Sequence, residues 1–281
     1  MTRPADHSIP RTTCPARLWV YAAAGILGLL VASAATLPPR HAPAAPDPGP
    51  AAPAQPAPSA SSMDEPLRLI AAARQAFQGV RDYTCVMIKR ERLKGQLQPD
   101  NIVEMKVRNQ PFSVYLRWLQ PKGLAGQQAC YVAGRNNGMM RVHLTGLRGA
   151  AGWLSIDPRD PRARESSNHT ITEAGIGNLI ERCSRAWQAE KQMNVSKVRV
   201  GEYEYNNRRC TRVETIHPEK KDGRFQSYRT VFYFDNETHL PIRTEMYDWP
   251  RPGNPDGDLL EVYSYINMRL NVGLGDESFN Y

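Results

Sequence analysis

Six histidines, five cysteines and 28 acidic residues are the groups from which a catalytic or metal site would have to be built. Their spacing builds neither. His7, His41, His143, His169, His217 and His239 are scattered, with no HxH, no HExxH and no carboxylate at ligand spacing, so no metal is expected. No GxSxG elbow presents a serine nucleophile. Gly146, Gly149 and Gly152 are not followed by a helix that would offer its N-terminus to phosphate. Asp157 and Asp160 each precede a proline and can be imagined as an acid and base pair, but Asp-Pro in a polar loop ordinarily starts a turn. Cys85, Cys130, Cys183 and Cys210 lack CxxC spacing, which fails a thioredoxin-like or zinc-ribbon reading. An oxidising compartment would permit disulfides among them; buried free thiols are the other reading. The expectation is a protein without catalysis and without a cofactor.

Binding chemistry is better represented. Lys plus Arg total 36 against 28 Asp plus Glu, a formal charge of +8, which suits contact with anionic surfaces. Lys89, Arg90, Arg92, Lys106, Arg108 and Arg117 fall on neighbouring predicted strands. They either form one basic face for phospholipid headgroups or an anionic polymer, or are a solvated strand surface. Nucleic acid is not an expected partner for a chain carrying the N-terminal address described next. The aromatic set Tyr203, Tyr205, Phe232, Tyr233, Phe234, Tyr247, Trp249, Tyr263 and Tyr265 in the C-terminal sheet either lines a cavity mouth or binds sugar, or pairs across strands, which is its ordinary use.

The 281 residues divide into a tail and a body. Residues 1–17 are basic, with Arg3, Arg11 and Arg17 preceding an uncharged run of 20 residues from Leu18 to Leu37. As a helix that run is long enough for one bilayer, and the positive residues before it direct the remainder across. Residues 18–37 therefore read as an anchor, or as a signal peptide cleaved after Ala34 in Ala32-Ser33-Ala34. Either way the body is expected outside the cytoplasm, on the periplasmic side of the inner membrane. Residues 38–62 hold 9 of the 23 prolines with many alanines, a composition that stays extended and acts as a spacer. Residues 63–281 form the body.

Periodicity organises the body as helix, sheet, helix, sheet. Asp64 can cap a helix carrying Leu67, Ile70, Ala71 and Phe77 at helical spacing. Alternating segments follow at 83–93, 101–109, 112–119, 127–132, 139–144 and 153–156. Thr172 can cap a second helix, with Ile176, Leu179, Ile180, Cys183 and Trp187 as its apolar stripe and Glu181, Arg182, Arg185 and Glu190 facing away. Strands return at 195–205, 208–216, 226–234, 240–247 and 259–270, with Asn206-Asn207 and Asp235 to His239 as turns. The fold class is α+β: a curved antiparallel sheet of about ten strands, with two amphipathic helices covering its concave face. The hollow so formed is either a site for a greasy ligand or ordinary core. Its candidate lining is Val103, Met105, Val107, Val114, Leu116 and Trp118 from the sheet, with Ile176, Leu179, Ile180 and Cys183 from the second helix.

Several short motifs in this order carry a resemblance: Asp82-Tyr83-Thr84-Cys85, Lys89-Arg90-Glu91-Arg92, Pro111-Phe112-Ser113-Val114-Tyr115, Ile176-Gly177-Asn178-Leu179-Ile180-Glu181, Leu240-Pro241-Ile242-Arg243 and Asn271-Val272-Gly273-Leu274. Together they resemble a bacterial, planctomycete-type family, domain of unknown function 1571, over nearly the whole body. More distantly, the helix-then-meander order and the ending resemble the LolA-like periplasmic lipoprotein carriers and sensors. That resemblance implies a half-barrel holding a lipid or lipoprotein acyl chain. The alternative it leaves is an envelope sensor or protein-interaction domain without bound lipid. An uncleaved anchor departs from the carriers, which must diffuse.

Overall fold

The computed structural model describes residues 63–161, 166–217 and 225–280. The segments read as 1–17, 18–37 and 38–62, and the cleavage site after Ala34, lie outside these residues. No helix among the described residues is long and apolar enough to cross a membrane.

The body is built from α1 (Asp64–Gln78), β1 (Asp82–Leu93), β2 (Gln96–Leu97), β3 (Asn101–Arg108), β4 (Ser113–Gln120), β5 (Gln128–Val132), β6 (Met140–His143), β7 (Trp153–Ile156), α2 (Ile176–Met193), β8 (Lys197–Tyr205), β9 (Arg208–Ile216), β10 (Arg229–Asp235), β11 (Pro241–Tyr247) and β12 (Leu259–Leu270). The sequence predicts these elements to within a few residues, and β2 is an additional two-residue strand against the end of β1. All twelve strands belong to one antiparallel sheet in the order β7-β6-β5-β4-β3-β1-β12-β11-β10-β9-β8, with β2 beside this path. The first meander runs outward from β1 and the second outward from β12, so the β1–β12 pair joins the two halves.

Turn chemistry fixes the hairpins. Lys94-Gly95 and Asn206-Asn207 all have positive φ, the conformation a two-residue hairpin requires and one that asparagine and glycine tolerate best. The β1–β12 register slips between Thr84 and Val86, opposite Asn267 in the left-handed region, so both long strands bend there. The sheet thereby wraps both helices. Residues from β1, β3, β4, β5, β6, β8, β9, β10 and β12 join one core with Ile70 and Ala73 of α1 and the stripe Ile176, Leu179, Ile180, Cys183 and Trp187 of α2. Trp187 meets the rings of Phe232 and Phe234 at centroid distances of 5.2 and 6.2 Å.

Four local expectations need correction. Asp64 does not cap α1: Met63 occupies that position, and Asp64 sits in the first turn, where a carboxylate favours the helix dipole. Ala71 is exposed and Ala73 takes its place in the core, because the stripe drifts around α1. Thr172 does not cap α2. Thr170 and Glu173 form a capping box around the short turn Ile171–Glu173, and α2 starts after Gly175, whose φ is 94°. Glu190 does not face away; it is buried, accepting from Ser196 at 2.9 Å and lying 3.2 Å from His217.

The start of α2 is held by an unusually close approach. The buried Tyr83 hydroxyl accepts a hydrogen bond from Ile176 N at 2.8 Å, serving one of the helix's unpaired N–H groups. A Cβ on Gly177 would come within 2.5 Å of Phe77 Cε1 on α1. Substituting Gly177→Ala is therefore expected to lower stability by about 1–3 kcal/mol through overpacking. A thermal or denaturant melt would show this, with much of the loss recovered when Phe77→Leu is added.

Candidate functional site

Alternation along the central strands decides which side chains face the helices. Tyr83, Cys85 and Met87 of β1 share the concave face with Val103, Met105 and Val107 of β3, their register partners in reverse order. Val114 and Leu116 of β4 continue that face. Of the ten candidate lining residues, Val103, Met105, Val107, Val114, Leu116, Ile176, Leu179, Ile180 and Cys183 are buried together in the main core. Trp118 packs at its margin and donates from Nε1 to Asn101 Oδ1 at 2.9 Å.

Room for a ligand opens at one end of this core. A pocket of about 250 Å³ lies where α1, the start of α2 and the ends of β3 and β4 meet. Phe77, Val107, Phe112, Ala174 and Ile180 supply its apolar lining; Arg74, Asn109, Asn178 and Glu181 supply polar groups. Val107 and Ile180 are thus the two candidates that reach it. Arg74 and Glu181 close across the pocket as a two-pronged ion pair at 2.7 and 2.8 Å, which raises the guanidinium and lowers the carboxyl from their ordinary values. Both groups are largely exposed, so the pair contributes little to stability.

The six basic candidates do not form one face. Lys89 has the parity of Tyr83, Cys85 and Met87 and points into the concave side, because neighbours in a pleated strand face opposite ways. The other five lie outward and are mostly tied locally. Arg90 bonds Asp100 at 2.6 Å, Arg108 bonds Asp276 at 2.8 Å, and Arg117 pairs with Glu104 at 2.9 Å. Arg92 donates to the carbonyls of Leu259 and Gly95, and Lys106 lies over the Tyr115 ring.

Lys89 instead belongs to a buried polar cluster that sequence reasoning missed. Glu91 accepts from Lys89 Nζ at 2.6 Å, from Ser167 Oγ at 3.0 Å, from Asn168 N at 2.9 Å and from the Tyr263 hydroxyl. Ser167 also accepts from Lys89 at 2.9 Å. Next to it, Glu261 bonds Asn168 Nδ2 at 3.1 Å and His169 Nε2 at 3.0 Å. Two adjacent central strands therefore fasten the segment 167–169 across the sheet. Strict alternation from Tyr83 through Glu91 is the sequence signal that places Lys89 and Glu91 there. The geometry spends the seryl hydroxyl and both carboxylates on internal bonds. Among the described residues, no three His, Cys, Asp or Glu side chains are placed to hold a metal ion. Asp157 accepts from the backbone of Arg159 as a turn initiator.

Comparison with known proteins gives one decisive match: a family model described as "Protein of unknown function (DUF1571)" covers residues 80–281. The chain belongs to this family. The family match takes in every strand, α2, the pocket's sheet side and the polar cluster. Comparison with curated proteins finds no match. Among solved structures, the chain is similar to lipoprotein LppX from Mycobacterium tuberculosis, at 11% identity over 74% of this chain and 96% of that one, with a TM-score of 0.43. It is also similar to an uncharacterised conserved protein from Thermus thermophilus, at 8% identity over 77% and 94% with a TM-score of 0.44. A third is a putative outer membrane lipoprotein-sorting protein domain from Vibrio parahaemolyticus, at 14% identity over 78% and 97% with a TM-score of 0.37. The DUF1571 domain here is one open antiparallel sheet with both helices packed on one face.

Two tests follow from the site's chemistry. Burial raises the Glu91 carboxyl, but Lys89 and the hydrogen bonds around it outweigh that and leave it below its ordinary 4.5. A carboxyl lowered in the folded state stabilises above its unfolded value and loses that contribution as pH falls through the folded one. Glu91→Gln leaves Lys89 buried without its counter-charge, an expected cost of about 3–5 kcal/mol at neutral pH. The gap from wild type in denaturant melts is expected to narrow as pH falls below 4.5. A gap constant with pH would show that the carboxylate charge is not what matters. The four body cysteines are buried free thiols, and burial pushes Cys85 up to about 12 and Cys130 to about 11. At about pH 8 a thiol-specific reagent should leave all four unmodified until the chain is unfolded.

Proposed function

We propose that this domain is a non-catalytic binding protein that holds an apolar or acyl-bearing ligand, a lipid or lipoprotein acyl chain, between its helices and the concave sheet face. The observation that carries the reading is the pocket between α1, α2 and the sheet: an apolar lining continuous with the core, with an exposed Arg74–Glu181 pair across it. Ligand sites are typically concave and apolar with a few orienting polar groups. Its 250 Å³ is below the usual range of about 300–1,000 Å³, so it accepts the end of a chain, and deeper entry requires α1 and α2 to separate from the sheet. Arg74–Glu181 and Lys191–Asp64 both join α1 to α2, so the helices would lift together with these pairs intact, and the hydrogen bond from Ile176 N to the Tyr83 hydroxyl of β1 would break. Val103, Met105, Val114, Leu116, Leu179 and Cys183 then line the enlarged space. The outward basic residues take no part in it.

The same reading puts the domain outside the cytoplasm, in the envelope. Residues 18–37 either tether it to the inner membrane through the 38–62 spacer or are removed after Ala34, leaving it soluble in the periplasm.

Native mass spectrometry with lipid extraction, on the full chain purified from its host's envelope, tests the proposal. Wild type is expected to carry an acyl-bearing adduct. Ala174→Trp, which fills the pocket from a half-buried position, is expected to lose the adduct while its melting temperature stays close to that of wild type. A clean apo mass at native expression overturns the reading.

A further inference from the structure

The face of the sheet turned away from the helices carries an unbalanced cluster of arginines. Register pairs Arg199 of β8 with Glu214 of β9, Gly201 with Arg212, and Arg229 of β10 with Ile216, so these groups share the outer surface. Glu214 has a side chain only 3% exposed and three guanidinium groups around it: Arg212 at 3.0 Å, Arg229 at 3.4 Å and Arg199 at 3.9 Å. Among the described residues, one carboxylate meets three guanidinium groups, which leaves two positive charges there unmatched. Glu245, on the same face of β11, is engaged by Arg243 at 2.6 Å and by the Tyr247 hydroxyl at 2.7 Å.

The cluster is prepared for a second anion. Arg229 lies 4.0 Å above the centre of the Tyr247 ring and Arg212 6.0 Å from that of Tyr233, so aromatic rings hold the guanidinium groups in place. Arg229 Nε is buried with no hydrogen-bond partner among the described residues. Beside Arg212, where a β8 side chain would stand, the sequence has Gly201, and a Cβ built there meets nothing within 4 Å. That gap gives an incoming group access.

We propose that this outer face of β8 to β10 docks an acidic protein segment, one carboxylate of which enters beside Gly201 and pairs with Arg199, Arg212 and Arg229. A guanidinium fork matches a carboxylate edge to edge, and arginine with tyrosine is the pairing that dominates the energetic centres of protein interfaces. A bilayer surface is the poorer fit: of the large hydrophobic side chains exposed among the described residues, Tyr203 is the one on this face. The proposal is independent of the ligand pocket, which opens on the other side of the sheet.

The test measures binding of a short poly-glutamate peptide to the full chain by fluorescence anisotropy, beside phosphatidylglycerol vesicles and inorganic phosphate. Gly201→Glu supplies the missing carboxylate from within. It is expected to weaken peptide binding about tenfold or more and to leave the melting temperature equal or higher, while Gly201→Ser keeps wild-type binding. Arg199→Ala, at a 41%-exposed position, is expected to weaken binding without unfolding. Peptide binding that is absent, or equal in wild type and Gly201→Glu, overturns the proposal. So does Gly201-dependent binding of vesicles or phosphate with no such dependence for the peptide.

Discussion

The pairing of β1 with β12 is the contact on which the architecture rests. Each meander is a local structure built from hairpins; the two become one sheet through this pair, whose strands come from opposite ends of the domain. The same two strands also hang the covering layer. At one end Tyr83 receives the first N–H of α2, and at the other Glu91 and Glu261 receive the segment 167–169. The concave surface is thus apolar where it meets the helices and ionic where it meets the strap, with the change falling between Met87 and Lys89.

Much of this is legible in the sequence because it is local. The stripe from Ile176 to Trp187 has the helical period and is the buried face of α2; Asn206-Asn207 can hardly be anything but a tight turn between two alternating segments. Residue type misleads where it is allowed to outrank geometry. Lys89 and Arg90 are both basic, yet a pleat sends them to opposite faces; Glu190 is charged, yet it turns inward because Ser196 and His217 lie where its carboxylate can be met. Thr170 and Thr172 offer the same hydroxyl two residues apart, and the choice between them is made by Glu173 and by Tyr83, which is distant in sequence. The β1–β12 pairing has no local sign. Whether the concave side chains leave room depends on fractions of an ångström between Phe77 and Gly177, a scale that hydrophobic periodicity does not record.

Charge behaves similarly. A formal +8 suggests a basic surface, but on β1, β3 and β4 the outward Arg90, Arg108 and Arg117 are each tied to a carboxylate, Asp100, Asp276 and Glu104. A local excess stands instead around Glu214, on strands that composition alone would not single out. The sheet therefore separates two kinds of surface, a sequestered apolar one under the helices and a basic aromatic one behind it. A molecule bound to either leaves the other unoccupied.

The strand order also sets a schedule for synthesis. Within the domain β1 is made before the other strands and pairs with β3 on one side as soon as that strand follows, but its other edge has to wait for β12, the last of the twelve described strands. Through that interval a twelve-residue edge carrying Tyr83, Cys85 and Met87 presents unpaired backbone groups, the template on which strands of separate chains associate. Closing so long a loop is entropically slow, and folds dominated by such distant pairings are slow folders. Truncation at the C-terminus would accordingly expose the middle of the sheet rather than trim its border.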